Sequence, residues 1–393
     1  MDSFEFYSPT RFVFGRESEK KTGDLVRRCG GTKVLLHFGG GSVKVNGIYD
    51  KVVASLTQAE VPFIPLGGVQ PNPRSGLVRE GIDLCRREKV DFILAVGGGS
   101  VIDSAKAIAF GTVYAGDFAD YYFGKDVKAP KPVPAALPIG AVLTIAAAGS
   151  EGSANSIINL EPGNLKRGAT GEALRPKFAI LNPMFTYTLP PFQTACGAVD
   201  IFAHLVERYF TPTQDVMVSD ELCEGLMRSV VVASVKALAE PTDFAARSDL
   251  MWAGSLAHNN VCGAGRVQDW ASHGIEHELS ALYDCAHGAG LAVVMPAWMD
   301  YVKDTDLARF ARFAEKVFGV APADKTLMVD EGIARYRAWI HSLGLPLTFR
   351  ELGAKAEDIP ALVAKLGLNG NTLGRFRPLK DDDVAKILES CAR

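Results

Sequence analysis

The chain has 393 residues, of which 48% are hydrophobic and 22% charged, and it carries a formal net charge of −3. This balance is typical of a globular protein with ample core and excludes an intrinsically disordered chain. The slightly acidic charge and the absence of a basic run argue against nucleic-acid binding, and no stretch reaches the ~20 apolar residues of a membrane span, so we expect small-molecule partners.

The cysteines and the N-terminus indicate the compartment. Seven cysteines are scattered along the chain and none forms a CxxC pair, which predicts reduced thiols in a cytosol-like compartment. The opening MDSFEFYSPTRFVFG carries acidic and aromatic residues where a signal peptide needs a basic region followed by an apolar one. We therefore expect a mature cytoplasmic protein.

The first ~190 residues repeat short β-branched runs that end in glycines and precede amphipathic stretches. This pattern predicts βαβ units and a parallel sheet. The three clearest strands are 33–38 (KVLLHF), 61–66 (VPFIPL) and 91–96 (DFILAV); further candidates are 136–143, 156–160 and 178–181. The opening FEFYSPTRFVF alternates like an edge hairpin.

The pattern changes after Leu189-Pro190-Pro191, where apolar residues take up helical spacing as far as about Cys391. A Pro-Pro pair cannot lie inside a helix and marks a domain boundary. The sequence thus predicts two domains sharing one cleft: an α/β nucleotide-binding domain over residues 1–190 and an all-helical domain over residues 191–393.

A glycine-rich turn, Gly97-Gly98-Gly99-Ser100, follows a buried strand pattern and opens a helix. Backbone N–H groups converge at such a helix N-terminus and bind phosphate, and glycines let a pyrophosphate approach the backbone. Asp103 and Lys106 follow on the first turns of the same helix, and we assign Asp103 to cofactor binding and catalysis. An ordinary tight turn is the alternative.

A second turn, Gly39-Gly40-Gly41-Ser42, ends the first predicted strand. A site for NAD would place an acidic residue here to bind the ribose diol, and the sequence has none. Because glycines followed by Lys44 leave room and charge for a 2′-phosphate, we predict NADP as the cofactor, with NAD possible. A plain turn with a solvated lysine is the alternative.

Three of the seven histidines lie between residues 272 and 288, and two pairs have helical i,i+4 spacing, Asp200 with His204 and His273 with His277. Such pairs place two ligands on one helix face, and imidazoles with one carboxylate suit Fe²⁺ or Zn²⁺. Spacing alone leaves seven candidate donors open: Asp200, His204, Glu207, His273, Glu276, His277 and His287. His37, His258 and His341 are interpreted as structural, the last two because they have no partner nearby in the sequence.

The segment His273-Gly-Ile-Glu276-His277 also fits the H-x-x-E-H pattern of inverted zincins. This pattern predicts a metallopeptidase with Glu276 as general base. It leaves the glycine turns and Asp200, His204 and His287 without a purpose. A non-catalytic nucleotide-binding regulator and a lyase related to dehydroquinate synthases are the remaining alternatives.

Several longer motifs resemble one family. They include GGGSVKVNGIYDKV, AVGGGSVIDSAK, TIAAAGSE, YTLPPFQTACGAVDIFAHLVERY and QDWASHGIEHELSALYDCAHGAGLAVVMP, and together they span nearly the whole chain. The chain resembles the iron-containing, group III alcohol dehydrogenases, in particular the butanol dehydrogenase-like aldehyde reductases. The resemblance implies a dehydroquinate synthase-like fold, interconversion of small alcohols and aldehydes with NAD(P), and a homodimer.

The resemblance also implies individual roles. It places the metal ligands at Asp200, His204, His273 and His287, and turns His277 towards nicotinamide and substrate as a proton carrier. The pyrophosphate turn falls on Gly97, Gly98, Gly99 and Ser100, and the adenosine contacts on Gly39, Gly40, Gly41, Ser42 and Asn72. Thr144, Asn159 and Lys166 occupy further cofactor-lining positions.

The sequence departs from the family in one segment. The usual T-x-P-A-T-G-S-E reads TIAAAGSE, so alanines stand at Ala146 and Ala148 in place of a proline and a cofactor-contacting threonine. We expect one hydroxyl contact to be lost. The four predicted ligands and the glycine turn are intact, which favours retained activity.

Overall fold

The structure is a computed structural model that describes residues 1–122, 131–161 and 163–393. The chain divides into two compact units: residues 7–189 form one, and residues 1–6 with 190–393 form the other. The first six residues belong with the helices because Asp2 N donates to Gly265 O (2.9 Å) and Thr213 Oγ1 donates to the Asp2 carboxylate (2.8 Å).

The first unit contains a six-stranded parallel sheet and a separate antiparallel pair of strands. The sheet consists of β1 Arg11–Phe14, β2 Val34–Gly39, β3 Phe63–Val69, β4 Phe92–Gly97, β5 Ile139–Leu143 and β8 Phe178–Leu181; β6 Asn155–Leu160 and β7 Leu165–Thr170 form the antiparallel pair. The strand order in the sheet is β1-β8-β5-β4-β2-β3, with every neighbouring pair parallel. The strands β2, β4, β5 and β8 are almost entirely buried, which explains why their sequences read as continuous apolar runs.

Helices connect the parallel strands, as crossover connections require. Those of the first unit are α1 Thr22–Arg28, α2 Ser42–Val45, α3 Ile48–Gln58, α4 Ser75–Glu88 and α5 Gly99–Val113. The chain passes from β2 to β3 on one side and then places β4 on the other side of β2, so the strand order reverses between β2 and β4. Ligands of open α/β sheets bind at such a switch point, outside the carboxyl ends of the strands.

His37 joins the sheet to its covering helix. It is fully buried, and its ring nitrogens lie 2.9 Å from Leu66 O on β3 and 2.9 Å from Ser104 Oγ on α5. Burial lowers the pKa of His37 to about 4, so the ring is neutral at physiological pH. The structural role predicted for His37 agrees with these contacts.

The predicted edge hairpin at the N-terminus is wrong. Only Arg11–Phe14 forms a strand, and it pairs in parallel with β8, while the chain before Tyr7 belongs to the other unit. The candidate strand at 156–160 exists but lies outside the parallel sheet, paired with β7, which the sequence analysis did not detect. The sequence of β7, LKRGAT, has Thr170 as its single β-branched residue, so the expected run of β-branched residues is missing.

The second unit is helical in the part of the chain described. Its helices are α6 Pro191–Tyr209, α7 Met217–Ala239, α8 Phe244–His258, α9 Ala271–Tyr283, α10 His287–Val302, α11 Leu307–Phe318, α12 Lys325–Ser342, α13 Phe349–Leu352, α14 Ile359–Lys365 and α15 Asp381–Cys391. Pro191 begins α6, where its missing N–H costs no hydrogen bond. Every residue of α6 from Thr194 to Tyr209 is buried, which makes this helix the axis of the unit.

Among the described helices, none has the length and apolar character needed to cross a lipid bilayer. The seven cysteines all lie within the described residues and are free thiols, five of them buried. The α/β and all-α classes predicted from the sequence are confirmed.

Candidate cofactor and metal sites

The turn after β4 has the geometry of a phosphate-binding loop. Gly98 is the extended residue before α5, and that helix runs for 15 residues from Gly99. A Cβ at Gly98 would lie 2.3 Å from Cγ2 of Ile145, and one at Gly97 would lie 2.4 Å from Cγ2 of Val101, so both positions require glycine. The first backbone N–H groups of a helix have no intrahelical acceptor, so the start of α5 suits an anion.

The turn after β2, unlike the turn after β4, has free space around its glycines. A Cβ at Gly40 or Gly41 would meet no atom within 4 Å, so packing does not explain these glycines. Because β2 and β4 are neighbours in the sheet, both turns lie at the switch point. Lys44 is exposed, and its Nζ lies 5.0 Å from the ring centroid of Phe38 and 5.1 Å from that of Tyr49, so the solvated lysine of the alternative interpretation stays open beside a cation–π contact.

The β6–β7 hairpin brings three further predicted cofactor residues together. Asn159 and Lys166 face each other across the hairpin, and Asn159 N donates to Pro73 O at 2.8 Å, next to Asn72. Asn72 is buried and has a positive φ of 53°. The side-chain Oδ1 of Asn159 is buried without a hydrogen-bond partner among the described residues, so a ligand N–H or O–H is a plausible missing donor.

Thr144 and Ala148 lie beside the phosphate turn. Thr144 N donates to Gly97 O at 3.1 Å, which continues the sheet pairing of β5 with β4 into the turn. A Cβ at Gly99 would lie 3.2 Å from Cβ of Ala148. The alanine that replaces the family's threonine is therefore next to the predicted pyrophosphate position, where a hydroxyl would be useful.

Asp103 fastens α5 to the following chain. Its Oδ1 accepts from Ser150 Oγ at 2.5 Å and its Oδ2 accepts from Ile157 N at 3.0 Å. Burial raises the pKa of Asp103, although the attraction of Lys106 and these two hydrogen bonds oppose that shift. Both carboxylate oxygens of Asp103 already accept hydrogen bonds from the protein, which indicates a structural role. The predicted roles of Asp103 in cofactor binding and catalysis remain predictions.

Lys106, one turn later on α5, also forms hydrogen bonds to the chain that leads into β6. It is fully buried, and its Nζ donates to the backbone oxygens of Ser150 (2.7 Å), Ser153 (3.1 Å) and Asn155 (2.7 Å). Burial lowers the pKa of Lys106 to about 8. The segment that leads into β6 is thus tied to α5 by one cation.

In the second unit, three helices bring the predicted metal ligands together. Asp200 and His204 lie one turn apart on α6, while His273 lies on the first turn of α9 and His287 is the first residue of α10.

A glycine permits this convergence. A Cβ at Gly288 would lie 2.1 Å from the carbonyl oxygen of Cys196, so only glycine lets the start of α10 approach α6 so closely. This contact places His287 within reach of Asp200, one helical turn further along α6.

The Oδ1 atom of Asp200 is the point on which the imidazoles converge. It lies 3.1 Å from Nδ1 of His204. The Nε2 atoms of His287 and His273 are 3.7 Å and 4.0 Å away. Separations of this size fit ligands around a cation to which each bond measures about 2 Å.

The ligand atoms of this cluster are suited to binding a cation and are not paired with one another by hydrogen bonds. Asp200 Oδ1 and His273 Nε2 are both buried and make no hydrogen bond among the described residues. Nδ1 of His204, although 3.1 Å from Asp200 Oδ1, lies closer to the backbone oxygen of Asp200, at 2.8 Å. Buried polar atoms without a hydrogen bond are rare in folded proteins and mark an absent partner. Burial alone would raise the pKa of Asp200, but attraction to the histidines lowers it to about 2; burial lowers the pKa of His273 well below its usual value. An ionised carboxylate beside a neutral imidazole is what a divalent metal requires.

Two buried glutamates hold the other nitrogens of the imidazoles. Nδ1 of His273 lies 2.9 Å from Glu207 Oε1, and Nδ1 of His287 contacts Glu276 Oε2. Both glutamates are fully buried, and burial raises the pKa of Glu207 to about 7 against the hydrogen bonds that it accepts. Carboxylate–histidine pairs of this kind fix ring orientation at metal sites.

His277 lies beside the cluster. Its ring centroid is 5.6 Å from that of His287, and donor atoms of Glu276, His277 and His287 lie within 4.8 Å of one another. His277 and His287 are partly exposed, whereas Asp200, His204 and His273 are buried. This position suits the proton-carrying role predicted for His277, which stays a prediction.

The sequence analysis missed the surroundings of the site. His258 was expected to have no partner nearby, yet its ring centroid lies 4.3 Å from that of His204 and its Nδ1 accepts from Arg208 at 3.3 Å. Trp270 packs edge-on against His273 and His204. An i,i+4 spacing between His204 and Arg208 was the available signal, but His258 and Trp270 lie on other elements.

A cavity of about 510 Å³ lies in the same unit, next to the start of α10. Ala286 and Ala289, which flank His287 in the sequence, line it, and Cys285 and the exposed His341 contribute the polar atoms of two side chains. The remaining lining residues are Phe192, Gly344, Leu345, Pro346, Leu347, Glu351 and Leu352.

Comparison with known proteins identifies the family. The sequence profile of iron-containing alcohol dehydrogenase matches residues 9–183, and that of the Fe-containing alcohol dehydrogenase family C-terminal domain matches residues 194–392. The chain therefore belongs to the iron-containing alcohol dehydrogenase family, and it has the fold of that family.

Individual relatives agree over their full length. NADH-dependent butanol dehydrogenase A of Clostridium acetobutylicum is 39% identical, with 99% of each chain covered. NADPH-dependent aldehyde reductase YqhD of Escherichia coli is 36% identical over 99% of this chain and 100% of that one. The crystal structure of NADH-dependent butanol dehydrogenase A from Thermotoga maritima superposes with a TM-score of 0.95 at 40% identity, covering 100% of this chain and 99% of that one.

These relatives support an NAD(P)-linked oxidoreductase of alcohols and aldehydes. They give no support to a metallopeptidase or a non-catalytic regulator. The geometry also speaks against the H-x-x-E-H interpretation: Glu276 contacts His287 and Ser280, and His273 is grouped with Asp200 and His204 rather than with His277.

Proposed function

We propose that the protein interconverts small primary alcohols and aldehydes by hydride transfer with a nicotinamide cofactor, at a divalent metal held by Asp200, His204, His273 and His287. The observation that carries the metal assignment is the pair of buried, unpartnered donor atoms, Asp200 Oδ1 and His273 Nε2. When bound, the metal acts as a Lewis acid on the substrate oxygen and the nicotinamide carries the hydride.

The chain's own residues prepare this chemistry. Asp200 would supply the single negative charge among the four ligands, and imidazoles bind metals as neutral rings, so a divalent cation held there would keep a net positive charge. The burial of Asp200, His204 and His273 excludes water from that side. The turns at Gly97–Ser100 and Gly39–Ser42, with Asn72, Thr144, Asn159 and Lys166, are proposed to bind the cofactor.

We propose that the metal is one divalent ion, Fe²⁺ or Zn²⁺, because a carboxylate and three imidazoles accept both. Metal analysis of protein purified without oxygen, followed by reloading of the chelated protein with each ion, distinguishes them. A chain that holds neither ion after reloading would contradict the site.

The function is tested by following NADPH and NADH absorbance with short aldehydes, using metal-loaded and chelated protein. We expect turnover with loaded protein, loss of turnover on chelation and recovery on reloading. The proposal would be contradicted if neither cofactor were oxidised in the presence of aldehyde with either metal.

We further propose that NADP is preferred. Support comes from the Gly39–Ser42 turn, which offers no carboxylate and has open space at Gly40 and Gly41. The relatives divide on this point, since the two cited butanol dehydrogenases are named for NADH and YqhD for NADPH.

Gly40→Asp should reverse the preference. An added Cβ meets nothing within 4 Å, so the fold should tolerate the change. A carboxylate there repels a 2′-phosphate and can accept from a ribose diol, so kcat/KM with NADPH should fall at least about 10-fold more than with NADH. Steady-state kinetics with both cofactors measure this, and Gly40→Asn is the uncharged control. Equal losses with the two cofactors would contradict the assignment.

His277→Ala should slow turnover and keep the metal. Loss of a positioned acid–base group typically costs about 10²-fold or more in rate, whereas the four predicted ligands are untouched. The measurements are kcat and metal per chain, and His341→Ala on α12 is the matched control. Metal loss in His277→Ala would instead make it a ligand.

We also propose a cytoplasmic homodimer whose partners are small alcohols and aldehydes. The free state of all seven cysteines is consistent with a reducing compartment. Light scattering of the purified protein tests the assembly, and a mass of one chain would refute it.

A further inference from the structure

We propose that Glu207 is the positioning residue of the metal site: its carboxylate fixes both the His273 ring and the strained turn that begins α9, and so presents Nε2 of His273 to the cation. This inference rests on the metal site of the proposed function. Spacing offered Glu207 only as one of seven candidate metal donors, and the contacts give it a different role.

Glu207 accepts three N–H groups from the beginning of one helix. Its Oε2 accepts from Trp270 N at 2.7 Å, and its Oε1 accepts from His273 N at 2.9 Å and lies 2.9 Å from His273 Nδ1. The residue is fully buried on α6, one turn after His204. A carboxylate at a helix N-terminus also interacts favourably with the helix dipole.

The turn that Glu207 holds is strained. Trp270 has φ 70° and ψ 17°, a left-handed conformation that is rare for a bulky residue. Such conformations are destabilising and persist only where the surroundings enforce them. Here the bond from Trp270 N to Glu207 and the Arg208 guanidinium, 4.7 Å above the indole ring, enforce it.

The strain has a geometric result. The turn at Trp270 sets where α9 begins, and His273 lies on its first turn. With Nδ1 turned to Glu207, Nε2 faces Asp200 Oδ1 across 4.0 Å and has no partner of its own among the described residues. Glu207 therefore contacts both the backbone and the ring of one ligand, and Glu276 contacts the ring of His287.

The test is metal affinity. In Glu207→Gln one oxygen becomes an NH₂ group, which cannot accept from Trp270 N or His273 N, so the metal-free protein should bind Co²⁺ and Zn²⁺ about 10- to 100-fold more weakly. Competition with a chromophoric chelator measures this, and the ligand-field spectrum of the Co²⁺ protein should change as well.

Glu224→Gln is the matched control. Glu224 is also a fully buried carboxylate, but it binds Tyr209 and Arg312, not a predicted ligand. We expect lower thermal stability with unchanged metal affinity and spectrum. If both variants weakened the metal equally, Glu207 would have only a general structural role and the proposal would be overturned.

Glu207→Asp keeps the charge but withdraws the oxygens by one methylene, and it serves if the glutamine variant does not fold. It should weaken metal binding at least about 10-fold. Wild-type affinity and spectrum in a folded Glu207 variant would overturn the proposal. Failure of the wild-type protein to bind either ion would instead refute the metal site itself, together with this inference.

Discussion

Asp200→Ala is expected to remove the metal and to lower kcat/KM for aldehyde reduction by about 10³-fold or more. Asp200 is the single predicted carboxylate ligand, and its Oδ1 lies within 3.1–4.0 Å of a nitrogen of each predicted histidine ligand. Its loss removes one bond and the neutralising charge, and Lewis-acid catalysis contributes several kcal/mol to such reactions. Metal per chain after dialysis and steady-state kinetics measure the two effects.

Asp200→Asn separates charge from geometry. The amide keeps one oxygen in place but supplies no negative charge, so we expect weaker metal binding than in the wild type and stronger binding than in Asp200→Ala. If Asp200→Ala kept one tightly bound metal per chain, the ligand assignment would be wrong even if the enzyme were inactive.

Gly98→Ala should have the second large effect, on cofactor binding and on stability. The added Cβ would lie 2.3 Å from Cγ2 of Ile145, and overpacking of this kind typically costs about 1–3 kcal/mol. The methyl group also stands between the backbone and an approaching pyrophosphate. We expect the dissociation constant for NADPH to rise about 10- to 100-fold in a fluorescence titration, with a lower thermal midpoint.

The two causes can be separated in an Ile145→Ala background. Removing Ile145 Cγ2 relieves the clash, so Gly98→Ala should cost less stability there. The cofactor defect should remain, because it depends on the backbone approach and not on Ile145. Unchanged NADPH affinity in both backgrounds would place the pyrophosphate elsewhere.

Local patterns predicted the parts of the fold that local physics determines. Strands β2 and β4 were found within a few residues because buried parallel strands require apolar runs that end in tight turns. The edge strand β3 is only partly buried, and it was found from its apolar run before two glycines. The β6–β7 hairpin was not, since β7 (LKRGAT) is held by its register against β6, and β6 in turn packs against α4 and α5. Likewise, nothing in FEFYSPTRFVF reveals that residues 1–6 pack with helices far along the chain.

The metal site, like the fold, could be predicted from the sequence only in part. Helical spacing could pair Asp200 with His204, but it could equally pair His273 with His277, and only the family resemblance favoured His287. The structure gives the physical basis: Gly288 admits α10 to α6, and Glu207 and Glu276 orient two rings from the outside. These are contacts between elements more than 60 residues apart or on different helices, and no periodicity encodes them.

Lys106 offers a way to watch the nucleotide-binding unit open. Amine-acylating reagents modify exposed lysines, and this one has no accessible surface and three backbone carbonyls around its ammonium group. Its acylation must therefore wait until the chain leading into β6 lifts away from α5. The rate of labelling at this single lysine, read by mass spectrometry, would report the local opening equilibrium of the segment that carries Asn159, and bound cofactor should slow it.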